Sequence, residues 1–253
     1  MKVQDSVIAI TGGGQGLGRA MAEFLAARGA KLALIDLVPE KLDEAATACR
    51  EAGAEARTYV CNVAKEADVE STFEAILKDF GHLNGLINNA GILRDGLMVK
   101  VKDGKVEKRM ELSQWQSVID VNLTGVFLCG REAATRMIEN GDQGVIINIA
   151  SISRAGNMGQ SNYSAAKAGV SALVPAWAKE LARYGIRCAG IAPGFVETEM
   201  TASMKPEARE KMTAGIPLRR MGRPDEIAHA AAFIFENDYL SGRMIEVDGA
   251  LRL

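Results

Sequence analysis

Short unbroken apolar runs alternate with longer stretches of helical period along this chain. Residues 6–11 (Ser-Val-Ile-Ala-Ile-Thr) form the first run, β-rich and suited to a buried strand. A glycine-rich loop follows. Residues 19–28 then repeat with helical period, placing Met21, Ala22 and Leu25 on one face, with Gly29 as the C-cap. Residues 31–35 are the second strand. Residues 40–52 form an amphipathic helix with Leu42, Ala45, Ala46 and Cys49 inward, and residues 56–61 form the third strand. A helix at 67–80 and a strand at 83–87 come next. Within 94–112, Asp103-Gly104 lies between Val99/Val101 and Val106 and predicts a small hairpin. Ser113 is placed to N-cap a long helix reaching about Glu139. Strands at 144–150 and 186–192 flank a helix at 162–184. A helix at 224–236, with Pro224 in its first turn, precedes a last strand at 244–247. The alternation reads as an open α/β sheet, and no linker, repeat or low-complexity stretch divides residues 1–253.

Charge changes this picture little. Thirty basic and 32 acidic residues leave a net charge of −2 with no basic block, which argues against nucleic acid or an anionic membrane as the main partner. The four cysteines (Cys49, Cys61, Cys129, Cys188) show no metal or C-x-x-C spacing and read as reduced thiols. Two histidines, His82 and His229, argue against a histidine zinc site or a serine–histidine triad. Without an h-region or a bilayer-length apolar run, the expected location is the cytoplasm.

The first chemical signal is the loop Gly12-Gly13-Gly14-Gln15-Gly16-Leu17-Gly18 between a strand and a helix, with Asp36 directly after the second strand. Strand, glycine loop, helix, strand and acid make a dinucleotide-binding βαβ unit, whose glycines let backbone N–H groups approach a pyrophosphate. Asp36 suits the adenosine ribose hydroxyls and repels a 2′-phosphate. Gln15 stands where a cationic phosphate clamp would be useful. Both features favour NAD(H) over NADP(H). Asn88-Asn89-Ala90-Gly91 ends the fourth strand, where an open α/β sheet binds ligands.

The second signal is Tyr163-Ser164-Ala165-Ala166-Lys167. Tyr163 and Lys167, four apart on a helix, share a face. An ammonium beside the phenol is expected to lower its pKa and produce an acid/base working near neutrality.

Thr11-Gly12, Gly16, Gly18, Asn88-Asn89-Ala90-Gly91, Asn122, Ser151, Tyr163, Lys167 and Pro193-Gly194-Phe195-Val196-Glu197-Thr198, in this order, resemble the short-chain dehydrogenase/reductase family over essentially the whole length. The nearest group in resemblance is the β-ketoacyl carrier-protein reductases and their broad-specificity carbonyl reductase relatives. The resemblance implies a single Rossmann-type domain with a doubly wound seven-stranded parallel sheet, order 3-2-1-4-5-6-7. Its dinucleotide half spans about 1–91 and its catalytic half about 92–253. It implies catalytic roles for Asn122, Ser151, Tyr163 and Lys167, Asn122 bending its helix locally and holding a water beside the lysine. Cofactor contacts fall on Gly12, Gly14, Gln15, Gly16, Leu17, Gly18, Asp36, Leu37, Asn62, Val63, Asn89, Ala90, Gly91, Tyr163, Lys167, Pro193, Gly194, Val196 and Thr198. Substrate contacts fall on Ser151, Ser153, Tyr163 and Met200.

Departures from the family pattern are few. Asn62 replaces an expected aspartate, its amide oxygen still suited to accept from the adenine amino group. Residues 94–112 are longer than expected. The family serine stands one residue further from its tyrosine than Ser151 does, which leaves Ser153 as the second choice. Residues 199–215, with Met200, Met204 and Met212, read as packing or as a substrate lid. The resemblance also implies a homotetramer, for which Val126, Phe127, Leu128, Val170, Leu173, Val174 and Trp177 supply apolar helix surface.

Nicotinamide-dependent ketone or secondary-alcohol chemistry is thus expected, on β-keto acyl thioesters, keto esters or related ketones. An acyl carrier protein is disfavoured as partner, because the end of the long helix (Arg136 to Asp142) is mixed in charge. A non-catalytic dinucleotide sensor and a nucleotide-sugar epimerase are the competing readings. The intact Tyr163/Lys167 pair speaks against the first, and the short C-terminal region against the second.

Overall fold

The computed structural model describes residues 1–198 and 206–252. Seven strands make one parallel sheet: β1 Val7–Thr11, β2 Lys31–Asp36, β3 Ala56–Val60, β4 Gly85–Asn88, β7 Gly144–Ile149, β8 Ile186–Pro193 and β9 Met244–Val247. Their order is β3-β2-β1-β4-β7-β8-β9, the expected 3-2-1-4-5-6-7 once the separate hairpin β5 (Val99–Lys102) and β6 (Lys105–Arg109) is set aside. The central strands are continuous apolar runs because both faces are covered. Alternate residues of β1 go to opposite cores. Ile8 and Ile10 pack with helices α1 (Gly16–Ala26), α2 (Pro39–Glu51) and α8 (Pro224–Glu236). Val7 and Ala9 pack with α3 (Glu66–Phe80), α5 (Gly125–Asn140) and α6 (Ser161–Leu181). Each of these four β1 residues is fully buried, so Ile10→Ala is a cavity-forming change costing about 2–5 kcal/mol.

The hairpin closes on Asp103 and Gly104, both with positive φ (50° and 75°), as an Asp-Gly two-residue turn requires. Two sequence expectations about helices are corrected. Ser113 is not a cap: α4 (Leu112–Ile119) begins one residue earlier, with Glu111 in the cap position. The predicted long helix is also not continuous α-helix. A π-helical turn, Asp120–Thr124, separates α4 from α5 and contains Asn122. Helix α1 starts at Gly16, three residues before the predicted start, because the glycine loop itself turns into the first helical turn. Its C-cap is Ala27, and Gly29 takes the left-handed conformation (φ 79°) two residues later. A further helix, α7 (Pro206–Ala214), falls in the predicted lid segment.

Candidate active site

The carboxyl ends of β1, β4, β7 and β8 face one side of the sheet, and the site is built there. Gly12 has φ 63°, and a Cβ on Gly18 would meet the Gly12 carbonyl oxygen at 2.0 Å. Helix α1 therefore starts hard against the end of β1, an approach only glycine allows. The loop is tied to β4. Asn89 Nδ2 donates to the carbonyls of Thr11 and Gly12, both at 3.1 Å. Thr11 Oγ1 accepts from the N–H groups of Asn89 (3.0 Å) and Ala90 (3.1 Å). Asp36 Oδ2 accepts from Gly14 N–H at 3.1 Å and Oδ1 from Leu37 N–H at 2.7 Å, fixing the carboxylate at the loop.

Between these elements lies a groove of about 570 Å³. Of the predicted cofactor residues it is lined by Gly12, Gln15, Gly16, Leu17, Asp36, Leu37, Asn62, Val63, Asn89, Ala90, Gly91 and Thr198. Gly14 and Gly18 shape its floor through the contacts above. Pro193 ends β8, Gly194 N–H donates to Val247 O at 2.9 Å, and Val196 is bridged to Gly222. Met200 lies outside the described residues. The residues fit a dinucleotide. Gln15 caps α1 without a side-chain hydrogen bond, and no acidic residue occupies the first turn, so the helix N-terminus keeps its donors for an anion. Asn62 is partly engaged already, its Oδ1 accepting from Ala64 N–H at 3.1 Å. A larger cleft, about 930 Å³, opens at the amino ends of β7 and β8. Its Arg187 is held by the carbonyls of Ile234, Phe235 and Leu240, which makes that residue a structural clamp.

Ser151, Tyr163 and Lys167 come together at the end of β7. Ser151 N-caps a 3₁₀ turn, Ile152–Ala155, with Oγ accepting from Ser153 N–H at 3.1 Å. Its hydroxyl lies close enough to the Tyr163 phenol to pull that group's pKa down. Ser153 is buried, so of the two serines it is Ser151 that meets the tyrosine. Lys167 is buried and donates from Nζ to Ile149 O at 2.7 Å, with Nζ 5.6 Å from the Tyr163 ring centre.

The expected lowering of the tyrosine pKa is overturned. Burial raises it first, the Ser151 hydroxyl pulls it down, and the Asp95 charge raises it again. The lysine is itself desolvated, its pKa pushed down to about 8. Asn122 is fully buried. Its Oδ1 accepts from Ile92 N–H (2.8 Å) and its Nδ2 donates to Ile92 O (3.0 Å), so the side chain holds the segment after β4.

Two positioning residues, Asn162 and Asn148, escaped the sequence reading. Asn162 is fully buried. Its Nδ2 donates to Arg94 O (3.0 Å) and Gln114 O (3.3 Å), and its Oδ1 accepts from Tyr163 N–H (2.8 Å). Asn88 donates from Nδ2 to Asn148 Oδ1 (2.9 Å), a pair joining β4 to β7 inside the core. A signal existed for Asn148, an amide inside an apolar strand, where a partner is obligatory. Thr11 was visible only as part of the loop motif. The groove is also lined by Ile92 and Val121, which no motif marks.

A groove fit for a dinucleotide and, at the same carboxyl edge of the sheet, a serine, a tyrosine and a buried lysine define an oxidoreductase that uses a nicotinamide cofactor on a ketone/secondary-alcohol pair. A family model described as enoyl-(acyl carrier protein) reductase matches residues 12–251. The chain is 41% identical over 250 residues to 3-oxoacyl-[acyl-carrier-protein] reductase of Homo sapiens, covering 98% of this chain and 99% of that one. It is 37% identical over 252 residues to acetoacetyl-CoA reductase of Synechocystis, covering 98% and 97%. A crystal structure described as a candidate gluconate dehydrogenase from Agrobacterium tumefaciens superposes with a TM-score of 0.89 at 35% identity, covering 99% and 97%. The chain belongs to the short-chain dehydrogenase/reductase family.

Proposed function

We propose that this chain is an NAD(H)-dependent reductase of β-keto acyl thioesters and related ketones. The carrying observation is the Ser151–Tyr163 hydroxyl pair, with Lys167 one helical turn on and bonded to the strand end that precedes Ser151. Two hydroxyls at one point suit a carbonyl oxygen. Ser151 orients that oxygen and Tyr163 gives it a proton on reduction, or takes one from the alcohol on oxidation. Lys167 supplies positive charge near the tyrosine ring and would hold the ribose hydroxyls of a bound nucleotide. Asn122, from within a π-helical turn, holds Ile92 on the groove lining and supports a relay water beside the lysine. The nicotinamide supplies or accepts the hydride when bound. The two relatives whose names specify a 3-oxoacyl or acetoacetyl thioester support the substrate class.

The cofactor choice rests on Asp36 in the groove and on the pairing of nearby cations. Lys41 Nζ lies 3.3 Å from Glu44, and Arg19 lies 2.7 Å from Glu23 and 3.5 Å from Glu44. A 2′-phosphate would meet a carboxylate and neutralised cations there. The buried free cysteines support a reducing, cytoplasmic location.

Assembly as a homotetramer is part of the proposal, on narrower support than the apolar count implied. Val126, Leu128, Val170, Val174 and Trp177 belong to the chain's own core, and Phe127 is the exposed member of the set. No helix among the described residues is long and apolar enough to cross a membrane.

The test follows cofactor absorbance with NADH and with NADPH. The substrates are acetoacetyl thioesters, a keto ester, a simple ketone and a crotonyl thioester. Oxidation of NADH by the keto thioester supports the reading. Turnover of the crotonyl thioester alone would move the chemistry to the carbon–carbon double bond and overturn it.

A further inference from the structure

The hairpin β5–β6 is built against its own stability. Every residue from 99 to 109 is exposed, so the ribbon has no core, and an isolated two-stranded hairpin is marginal in water. Cross-strand partners share a face, and the register pairs Lys100 with Lys108 and Lys102 with Lys105. Four lysines therefore stand together on one face, where like charges directly opposite repel. Lys100 has Glu107 at 2.9 Å. Among the described residues Lys102, Lys105 and Lys108 have no carboxylate within salt-bridge distance. The other face carries Val99, Val101 and Val106, 40%, 58% and 61% exposed. The ribbon holds five cationic and two acidic side chains in a chain of net charge −2. A local arrangement that opposes the fold's stability marks a functional surface.

The base of the ribbon is wired to the catalytic loop. Gly96 N–H donates to Gly159 O at 2.8 Å, and Gln160 Nε2 donates to Asp95 Oδ2 at 2.9 Å. Asn162, whose Oδ1 holds the Tyr163 N–H, bonds Arg94 O. Whatever the ribbon holds is thus held beside the entrance to the acid/base tyrosine.

We propose that the ribbon is a docking arm for an acidic protein that carries the acyl thioester on a flexible tether. This rests on the reading of the chain as a thioester reductase and adds the partner and its surface. The lysine face attracts a carboxylate-rich surface. The placement at the catalytic loop favours a partner that delivers substrate. A second copy joined ribbon to ribbon across a two-fold axis would set lysines near lysines. The expectation against a carrier protein considered the end of α5, where Arg136 is indeed neutralised by Glu132 and Glu139. The cationic surface lies on the ribbon instead.

The experiment compares wild type with the Lys100→Gln/Lys102→Gln/Lys105→Gln/Lys108→Gln variant. Both receive NADH and three acetoacetyl thioesters: of a purified bacterial acyl carrier protein, of coenzyme A and of uncharged N-acetylcysteamine. The ribbon buries nothing, so the variant keeps its fold. The expected result is a loss of about tenfold or more in kcat/KM on the carrier-bound substrate, carried by KM, and a wild-type carrier rate that falls with salt. Turnover of the N-acetylcysteamine thioester stays at the wild-type level. Unchanged carrier kinetics would overturn the proposal, as would an equal loss on all three substrates. A loss on coenzyme A as large as on the carrier would assign the ribbon to the nucleotide phosphates. A smaller mass of the variant by light scattering would make it a subunit contact. Failure of wild type on every thioester would remove the substrate reading itself, a result separate from the other four.

Discussion

The Lys167 ammonium donates to the carbonyl oxygen of Ile149 at 2.7 Å, two residues before Ser151. One side chain thus locks the helix that carries the tyrosine to the strand that presents the serine. The price is a buried charge. Its pKa, pushed down from 10.5 to about 8 by desolvation, sets the sign of a stability effect. Between about pH 8 and 10.5 the unfolded chain holds this proton and the folded chain has lost it, so the contribution of Lys167 to stability rises with pH across that window. Below pH 8 the full cost, roughly 3 kcal/mol, is present. We expect Lys167→Met to lose activity, and the stability of wild type relative to that variant to rise by up to about this amount from pH 7 to 10.5. Urea unfolding at several pH values measures it. A gap independent of pH would show that the lysine is not desolvated.

Activity should follow the tyrosine. With its pKa raised, Tyr163 stays protonated through neutral and mildly alkaline solution. Ketone reduction needs the protonated form, so its kcat should stay flat from about pH 6 to 8. Alcohol oxidation needs the phenolate and should climb with pH over the same range. A reduction rate that falls steeply above pH 7 would mean that charge, and not burial, sets this group.

Much of this was legible in sequence, for physical reasons. Strands buried on both faces read as continuous apolar runs, so β1 and β2 were visible at once. The hairpin showed itself through Asp103-Gly104, a pair that few other turns require. A local bend at Asn122 was implied by the family resemblance, but its form, a π turn, was not readable from the period, because it depends on what the side chain meets in three dimensions, here the backbone of Ile92. The tyrosine pKa was misread for a similar reason. Spacing told which residues share a face, but desolvation is the largest influence on the tyrosine. Asn162 was invisible because its partners, Arg94 and Gln114, are far away in sequence.

Asp36 gives the third expectation. Its carboxylate accepts from Gly14 and Leu37 and still faces the groove. A 2′-phosphate there loses a ribose contact and meets a negative charge. We expect kcat/KM to favour NADH over NADPH by about tenfold or more. Asp36→Ala with Gln15→Arg should relax or reverse this. Equal use of both cofactors by the wild type would refute it.

Asn162 is a positioning residue. Asn162→Ala leaves the carbonyls of Arg94 and Gln114 and the N–H of Tyr163 without their partner, a loss of about 1–3 kcal/mol in stability. Its mark on catalysis should be a lower kcat with NADH affinity unchanged, since it touches no groove residue. Asn162→Asp keeps the acceptor for Tyr163 N–H and should recover part of the loss. Equal defects in both variants would place its role entirely in the amide donors.

Tyr163→Phe removes one oxygen from a half-buried ring and leaves its packing. If that hydroxyl moves the proton, kcat falls about a hundredfold to ten-thousandfold. Ser151→Ala should fall with it, and the double variant should be scarcely worse than either, because two hydroxyls acting on one carbonyl oxygen work as a unit. NADH binding, measured by fluorescence titration, should hardly change in Tyr163→Phe, since Lys167 is intact, whereas Lys167→Ala should weaken it. Ser153→Ala is the control for the serine assignment: that residue is buried and reaches the site through its backbone N–H, which the substitution keeps, so activity should be nearly normal. A folded Tyr163→Phe enzyme, checked by circular dichroism, that retains more than about a tenth of wild-type kcat would show that the proton comes from elsewhere.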